Sequence, residues 1–513
     1  MASRRDELNA YTFAKKRTVA AFLQPSPSGT EEGAPKPLKA IVPGLIVGAL
    51  VIAGFGAWGM FKPEAPKGWD TPGARVIVGK QSTTRYVVLQ TGTGKDKKTL
   101  LHPVLNLASA RLLLDPDQFQ VVQVDDKTLD LGKPPRGPVL GIPYAPDRLP
   151  APDEAGRKKR WAVCEQPGGG KGASVQKATF LFAERDAKRT ESAEKLKNGQ
   201  VLYVKGQKGN AQFLVDHTGT KYPVKAGNPK LLNTLVGSGK PQPVTDDWLA
   251  TLKTGDEIDF PHIDARVGDP TDIPGSNLNE TEKRIGTVLR TQTGSGPQEY
   301  VVLPGRIQPV TPFTARLLIG SPETVGLGML GKPVSADTGS FVPDATPFHG
   351  DVDWPTLESK QINASTGAGA RDTICNVLTD VGATGQTTLT TWAGTDYPAD
   401  ITAGGTSTYV TPGTGLLYTQ IQGRQEMPGG SLFLVTDTGL RYAVQANSDS
   451  DSAHSEIGAG EKKQNGGRPE PSDAQKRLGY ESVEPARVPI EWSEFLSKGP
   501  RLDTNSARQP QGS

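Results

Sequence analysis

The residues best suited to chemistry in this 513-residue sequence are two cysteines, five histidines and a few Gly-Lys pairs, and their spacing decides what they could do. A tetrahedral zinc site needs about four nitrogen or sulfur ligands. Cys164 and Cys375 are too few to build one, and His102, His217, His262, His349 and His454 recur at no helical interval, so no metal is expected. A phosphate cradle of the form G-x-x-x-x-G-K-[ST] would supply backbone N–H groups, a lysine and a hydroxyl for Mg²⁺. Gly170-Lys171 is followed by Gly172 and has Glu165 where the first glycine should stand, and Gly94-Lys95 and Gly239-Lys240 fail likewise. The GGGKG stretch therefore reads as a flexible loop. There is no G-x-S-x-G elbow for a serine nucleophile, and among plentiful carboxylates nothing singles out an acid pair for glycoside cleavage. The expectation is no catalytic residue and no cofactor.

The cysteines point to architecture instead. Phe213-Leu-Val-Asp-His-Thr-Gly-Thr-Lys-Tyr-Pro-Val224 matches Phe433-Leu-Val-Thr-Asp-Thr-Gly-Leu-Arg-Tyr-Ala-Val444 at seven of twelve positions, with Gly219 against Gly439 and Tyr222 against Tyr442. Downstream, Trp248, Leu252, Gly255, Ile258 and Asp259 recur as Trp492, Leu496, Gly499, Leu502 and Asp503 at the same internal spacing. A second pair precedes these: Tyr86-Val-Val-Leu89 returns as Tyr300-Val-Val-Leu303, and Ala110-Arg-Leu-Leu113 as Ala315-Arg-Leu-Leu318. The order is A, B, A′, B′. A B-type module reads as strand, Gly turn, strand and short helix, too small to bury a core alone, so the modules must pack on something shared. Cys164 and Cys375 lie in the segments joining A to B and A′ to B′, separated by nearly the module offset, as a bridge across a pseudo-twofold axis would require. A Cys164–Cys375 disulfide is expected, worth roughly 4–5 kcal/mol in the chain-entropy model. The alternative is two unpaired buried thiols.

From Ala40 to Phe61 the chain is apolar and uncharged, long enough at 1.5 Å per residue to cross a ~30 Å hydrocarbon core. The exit GMFKPE lacks an A-x-A cleavage site, which favours a transmembrane helix over a signal peptide. Flanking charge gives a mixed orientation signal, but a cysteine pair fits an oxidising compartment, which puts the long body outside. Gly44 and Gly48 form one G-x-x-x-G, a candidate helix-packing face or a chance spacing in a Gly- and Ala-rich span. Ahead of the span, Leu8, Tyr11, Val19, Phe22 and Leu23 recur at near-helical intervals among basic residues. This predicts an amphipathic helix, either lying on lipid or docking a cytoplasmic partner through Tyr11, Phe13, Lys15, Lys16 and Arg17.

High Gly and Pro with only 6% aromatics predict turns and short strands, hence a β-rich α+β body. A net charge of +3 from 58 basic and 55 acidic residues excludes a nucleic-acid binder built on a basic face. The expected organisation is a cytoplasmic arm (1–39), the transmembrane helix (40–61), A (62–138), the first half of a central β-rich core (139–198), B (199–263), a linker with A′ (264–338), the second core half (339–428), B′ (429–503) with a mobile polar loop at 447–473, and a disordered tail (504–513).

In this arrangement the sequence resembles the EccB component of actinobacterial type VII secretion systems. The resemblance rests on YTFAKKRTVAAFL, the apolar span, WAVC ending at Cys164, TICN around Cys375, FLVDHTGTKYPV and FLVTDTGLRYAV. It implies an elongated extracytoplasmic domain with a central core and four peripheral repeats, in a membrane complex with EccC, EccD, EccE, the mycosin protease and further copies of itself. It also implies ATP hydrolysis, which the family is often credited with and for which no P-loop is visible. The leading expectation is a structural membrane subunit for protein export. The alternatives are an ATP-hydrolysing component and a membrane-anchored wall-binding module.

Overall fold

The computed structural model describes residues 3–23, 38–61, 65–91, 97–168, 174–363, 370–401, 407–423, 425–426, 432–445 and 471–511. The GGGKG core and most of the expected polar loop fall outside them. Two compact units result: residues 1–69, 79–83 and 122–133 form one, and the rest of the chain the other.

The first unit holds two long helices, Arg4–Leu23 and Leu38–Phe61. Within the second of them, Ile41–Trp58 is apolar enough to cross a membrane, and a Cβ added at Gly44 or Gly48 would meet nothing within 4 Å. The arm helix departs from expectation because it is not amphipathic. At 100° per residue Leu8, Tyr11, Val19 and Phe22 share a face, but Arg4 and Lys15 fall on the same arc and Phe13 on the opposite side. None of its described residues is buried, and Tyr11 is 71% exposed. A short cap completes the unit. Asp126 accepts from Gln81 N at 2.7 Å and from the Ser82 hydroxyl, whose hydrogen bond leads the effects that lower its pKa.

The second unit is strand-rich, and its sheets repeat. In A, strands Arg75–Gly79, Arg85–Thr91 and Lys98–Val104 form an antiparallel meander. Asn106 then caps helix Leu107–Leu113 by accepting from Ser109 N at 2.9 Å. A′ repeats this with Val288–Thr293, Gly296–Leu303, Arg306–Val310 and helix Pro312–Gly320, capped by Thr311. Pro312 suits the first helical position because that N–H would have no intrahelical acceptor.

In B, Gln200–Gly206, Gln212–Val215 and Thr220–Val224 are antiparallel, and Gln242–Val244 and Lys253–Thr254 flank them in parallel. B′ has the same pairing senses in Leu416–Gln422, Leu432–Val435 and Leu440–Val444, flanked by Ala486–Pro489 and Ser497–Lys498. Its sheet thus begins at Leu416, ahead of the expected boundary at 429. The modules pair first with last and second with third, so neither half of the chain pairs its own two modules in these cores. One core joins A to B′, through Val87, Leu112 and Leu113 with Leu434, Tyr442 and Leu478, and another joins B to the A′ helix, through Leu214, Tyr222 and Leu231 with Phe313 and Leu317.

The tail also differs from expectation. Asp503 caps helix Thr504–Ala507, Thr504 and Ala507 are buried, and Gln511 N donates to Val139 O at 2.9 Å. A short polar sequence is ordered here because the A helix offers it a surface and its backbone groups find partners there. Deleting residues 504–513 should therefore cost about 2 kcal/mol or more. Thermal unfolding of the purified chain checks this, and an unchanged midpoint would contradict it.

Candidate functional site

The centre of the second unit is a five-stranded sheet in the order Thr387–Gly394, Thr373–Val381, Arg160–Gln166, Gln176–Phe182, Thr408–Val410. Its two middle strands come from the two halves of the chain. They are antiparallel, and the register sets Cys375 opposite Cys164, with Ile374 against Glu165 and Asn376 against Val163. The two sulfurs are bonded, and both cysteines are fully buried.

Alternation along a strand sends successive side chains to opposite faces. On the disulfide's face lie Ala162, Phe180, Phe182, Val377 and Trp392, with the Phe180 and Phe182 rings stacked at 5.7 Å. The other face carries Trp161, Val163, Ile374 and Leu378, and onto it pack Leu202, Val215 and Trp248 of B together with Tyr418, Val435 and Trp492 of B′. Trp161 meets Tyr418 edge-on at 5.8 Å. The repeated tryptophans thus end in one shared core.

Buried polar groups fix where B sits. Helix Asp246–Ala250 is short, and its first N–H groups need acceptors. Glu165 provides one from the central sheet: Thr245 N donates to its Oε2 at 2.9 Å and the Thr245 hydroxyl to Oε1. Trp248 Nε1 donates to Val163 O at 3.1 Å, and Asn376 Nδ2 to Thr251 O at 2.9 Å. The Gly219 turn also reaches the sheet, since Thr391 Oγ1 donates to Asp216 O at 2.6 Å. Gly219 sits at φ +72°, and a Cβ there would lie 2.7 Å from Leu389 Cβ, so both backbone and space demand glycine. Gly439 has φ +77° in the matching B′ turn.

One matched pair of cations recurs beneath the short tryptophan-bearing helices, Asp246–Ala250 in B and Ile490–Ser493 in B′. Lys221 Nζ donates to Leu249 O at 2.6 Å, and burial lowers its pKa. In B′ the buried Arg441 donates to Ser493 Oγ at 2.7 Å, which also bonds the Tyr418 hydroxyl at 2.8 Å. Burial pushes Tyr418 up to about 12. Tyr222 and Tyr442 are likewise buried, at the B–A′ and A–B′ cores respectively. Glu165, Thr245, Asn376 and Ser493 carry no local sequence signal. The alignment of Lys221 with Arg441 was the one visible hint of this polar layer.

The site is built for holding modules together. Among the described residues no group of three or more His, Cys, Asp or Glu could hold a metal ion. Gly239-Lys240 follows helix Pro229–Val236 and precedes strand Gln242–Val244, the reverse of the strand–loop–helix order that a phosphate loop needs.

Burial raises the Glu165 pKa, against the pull of its two Thr245 hydrogen bonds. A carboxyl raised above its unfolded value, about 4.3, stabilises most below that value, and the contribution is lost as pH rises through the folded-state pKa. Glu165→Gln keeps an acceptor for Thr245 N and a donor for its hydroxyl. It should be at least as stable as the natural chain at neutral pH and lack that loss, whereas Glu165→Ala should cost about 1–3 kcal/mol. Unfolding followed across mildly acid to neutral pH checks both. Replacing Cys164 and Cys375 together by Ala should cost about 2–5 kcal/mol, read from denaturant midpoints.

Residues 1–512 match the family model described as Type VII secretion system ESX-1, transport TM domain B. A Mycolicibacterium smegmatis protein named ESX-3 secretion system ATPase EccB3 is 26% identical over 431 residues, 80% of this chain and 76% of that protein. The Mycobacterium tuberculosis ESX-1 secretion system ATPase EccB1 is 28% identical over 286 residues, 55% of this chain and 53% of that protein. The fold is shared with a chain in the structure of an intact ESX-5 inner membrane complex, at a TM-score of 0.56 and 19% identity, covering 100% of this chain and 96% of that one. It is shared too with the EccB3 dimer from the ESX-3 core complex, at a TM-score of 0.54 and 22% identity, covering 85% of this chain and 99% of that one. The family model spans almost the whole of the chain, behind whose apolar helix lies the strand-rich body described above: the chain belongs to the EccB family of type VII secretion membrane components.

Proposed function

We propose that this chain is a membrane-anchored structural subunit of a type VII secretion complex, with the arm in the cytoplasm, Leu38–Phe61 in the bilayer and the strand-rich body outside. The observation that carries this reading is the central sheet. A buried disulfide between distant halves suits an oxidising compartment, and the polar groups described above lock B against the sheet rather than converge on a cavity. A rigid body tethered by one helix can shape a vestibule and transmit position across a membrane. It has no need of a reaction centre.

The arm fits a docking role. Tyr11, Phe13 and the Lys15-Lys16-Arg17 run sit on an exposed helix whose apolar and basic residues are mixed around its circumference, so it offers no single apolar face to a lipid plane. The partners that family membership implies are EccC, EccD, EccE, the mycosin protease and a second copy of this chain, with ATP hydrolysis supplied by a cytoplasmic partner. The relatives' printed names include ATPase, so turnover by this chain is the reading to test against.

Gently solubilised native membranes should yield the tagged chain in a large complex with a cytoplasmic ATPase and a multi-span protein, identified by mass spectrometry. Protease added to intact protoplasts should digest the body. Recovery of the chain alone with ATP turnover of its own, or full protection of the body, would overturn the proposal.

A further inference from the structure

The face of the central sheet that carries the disulfide is closed by residues that come later in the chain than either cysteine. Ala399 is buried in one cluster with Cys164, Cys375 and Phe180, and Tyr397, Ile401 and Tyr409 pack against that cluster half-buried. The Tyr397 ring lies 5.8 Å from that of Phe180, and the Tyr409 ring 5.7 Å from that of Phe182. Strand Thr408–Val410 completes the cover by pairing in parallel with residues 179–181. Both cysteines are left with no exposed surface.

Hydrogen bonds at the rim latch this cover. From the 3₁₀ helix Glu184–Thr190, Arg189 donates to Pro398 O at 3.3 Å and Arg185 to Pro412 O, while Asp186 accepts from Thr411 Oγ1 at 2.8 Å. Tyr397 Oη donates to Gln176 O at 3.4 Å. The Arg189 side chain is 45% exposed, and B and B′ pack on the opposite face of the sheet. A cover held by half-buried rings and solvent-exposed hydrogen bonds is the kind of segment that opens locally, at a lower free energy than global unfolding.

Disulfide chemistry then fixes an order of events. In exchange, one cysteine thiolate attacks a sulfur of a donor disulfide and displaces one donor thiolate. The second cysteine thiolate attacks the chain's sulfur in the mixed disulfide, closing the Cys164–Cys375 bond and releasing the other donor thiolate. The two thiols of the chain lose two electrons and two protons, and the donor disulfide is reduced to two thiols. Each attack needs access to sulfur, which the closed cover denies. Because the chain is made from its N-terminus, Cys375 appears before Tyr397 and Tyr409, so the two central strands can pair while still uncovered.

We propose that residues 397–401 and strand Thr408–Val410 form a lid that docks only after the disulfide has formed. The chain is thus the substrate of a disulfide-donating oxidation that acts on an open-lid intermediate, and once the lid is latched the bond is closed to exchange. This order is independent of any role in secretion, because it follows from burial and from position in the chain.

Reduction by a dithiol runs the same exchange backwards and passes through the same open lid. The full chain in nanodiscs is incubated with dithiothreitol without denaturant, and free thiols are counted over time by gel shift with a maleimide-linked polymer. Arg189→Ala, which removes a latch, and Tyr397→Ala, which removes a ring of the cover, should each be reduced about tenfold faster or more than the natural chain. All three should react alike in unfolding urea. Deletion of residues 504–513 weakens the fold elsewhere and should leave the rate without denaturant unchanged. The proposal is overturned if the natural chain is reduced as fast folded as in urea, if both variants match its folded rate, or if the tail deletion accelerates reduction as much as they do.

Discussion

The pairing of Arg160–Gln166 with Thr373–Val381 is the interaction on which the rest of the structure depends. It joins strands more than two hundred residues apart, so its loop-closure cost is large in the unfolded chain. The disulfide removes much of that cost by constraining the unfolded ensemble. Register matters as much as proximity. A slip of one residue would send Trp161, Val163 and Glu165 to the disulfide's face and Cys164 to the face that receives B and B′. The bond between Cys164 and Cys375 admits only the register in which both tryptophan-bearing helices find their core.

From that sheet outward the modules are positioned by burial first and by polar satisfaction second. Trp248 and Trp492 are among the largest fully buried side chains, and each sits at a contact that neither B nor B′ could form alone. Hydrogen bonds then remove the remaining freedom. Glu165 completes a helix cap across a module boundary, and Asn376 and Thr391 bind backbone carbonyls of B. Because A shares a core with B′ and B with A′, each half of the chain is stabilised by the other. No single module can peel away without exposing another.

Much of this was legible in the sequence, for a definite reason. Identical residues at identical spacing, such as Phe213 to Val224 against Phe433 to Val444, reveal duplication without any knowledge of contacts, and duplication placed the two cysteines in matching positions. What was hidden depends on partners far away in the chain. The exchange of partners between modules has no local pattern. The tail was misread because its order comes from the A helix and from Val139, not from its own composition. The arm was misread because the apolar spacing was counted without placing Arg4 and Lys15 on the same arc. The first B′ strand was missed because LLYTQIQ shares little with QVLYVKG beyond a central Leu-Tyr. Glu165 could not be distinguished from any other carboxylate, since what marks it is Thr245, eighty residues on.

The central claim is that one core couples both B-type modules through the disulfide-linked sheet, and amide hydrogen exchange in a Trp248→Ala variant tests it most directly. A lost core tryptophan of this size costs about 3–5 kcal/mol. Under this account the resulting deprotection spreads beyond B, into Arg160–Gln166 and Thr373–Val381 and on to Leu416–Gln422 of B′. Faster exchange confined to residues 199–263, with the central sheet and B′ as protected as in the natural chain, would contradict it.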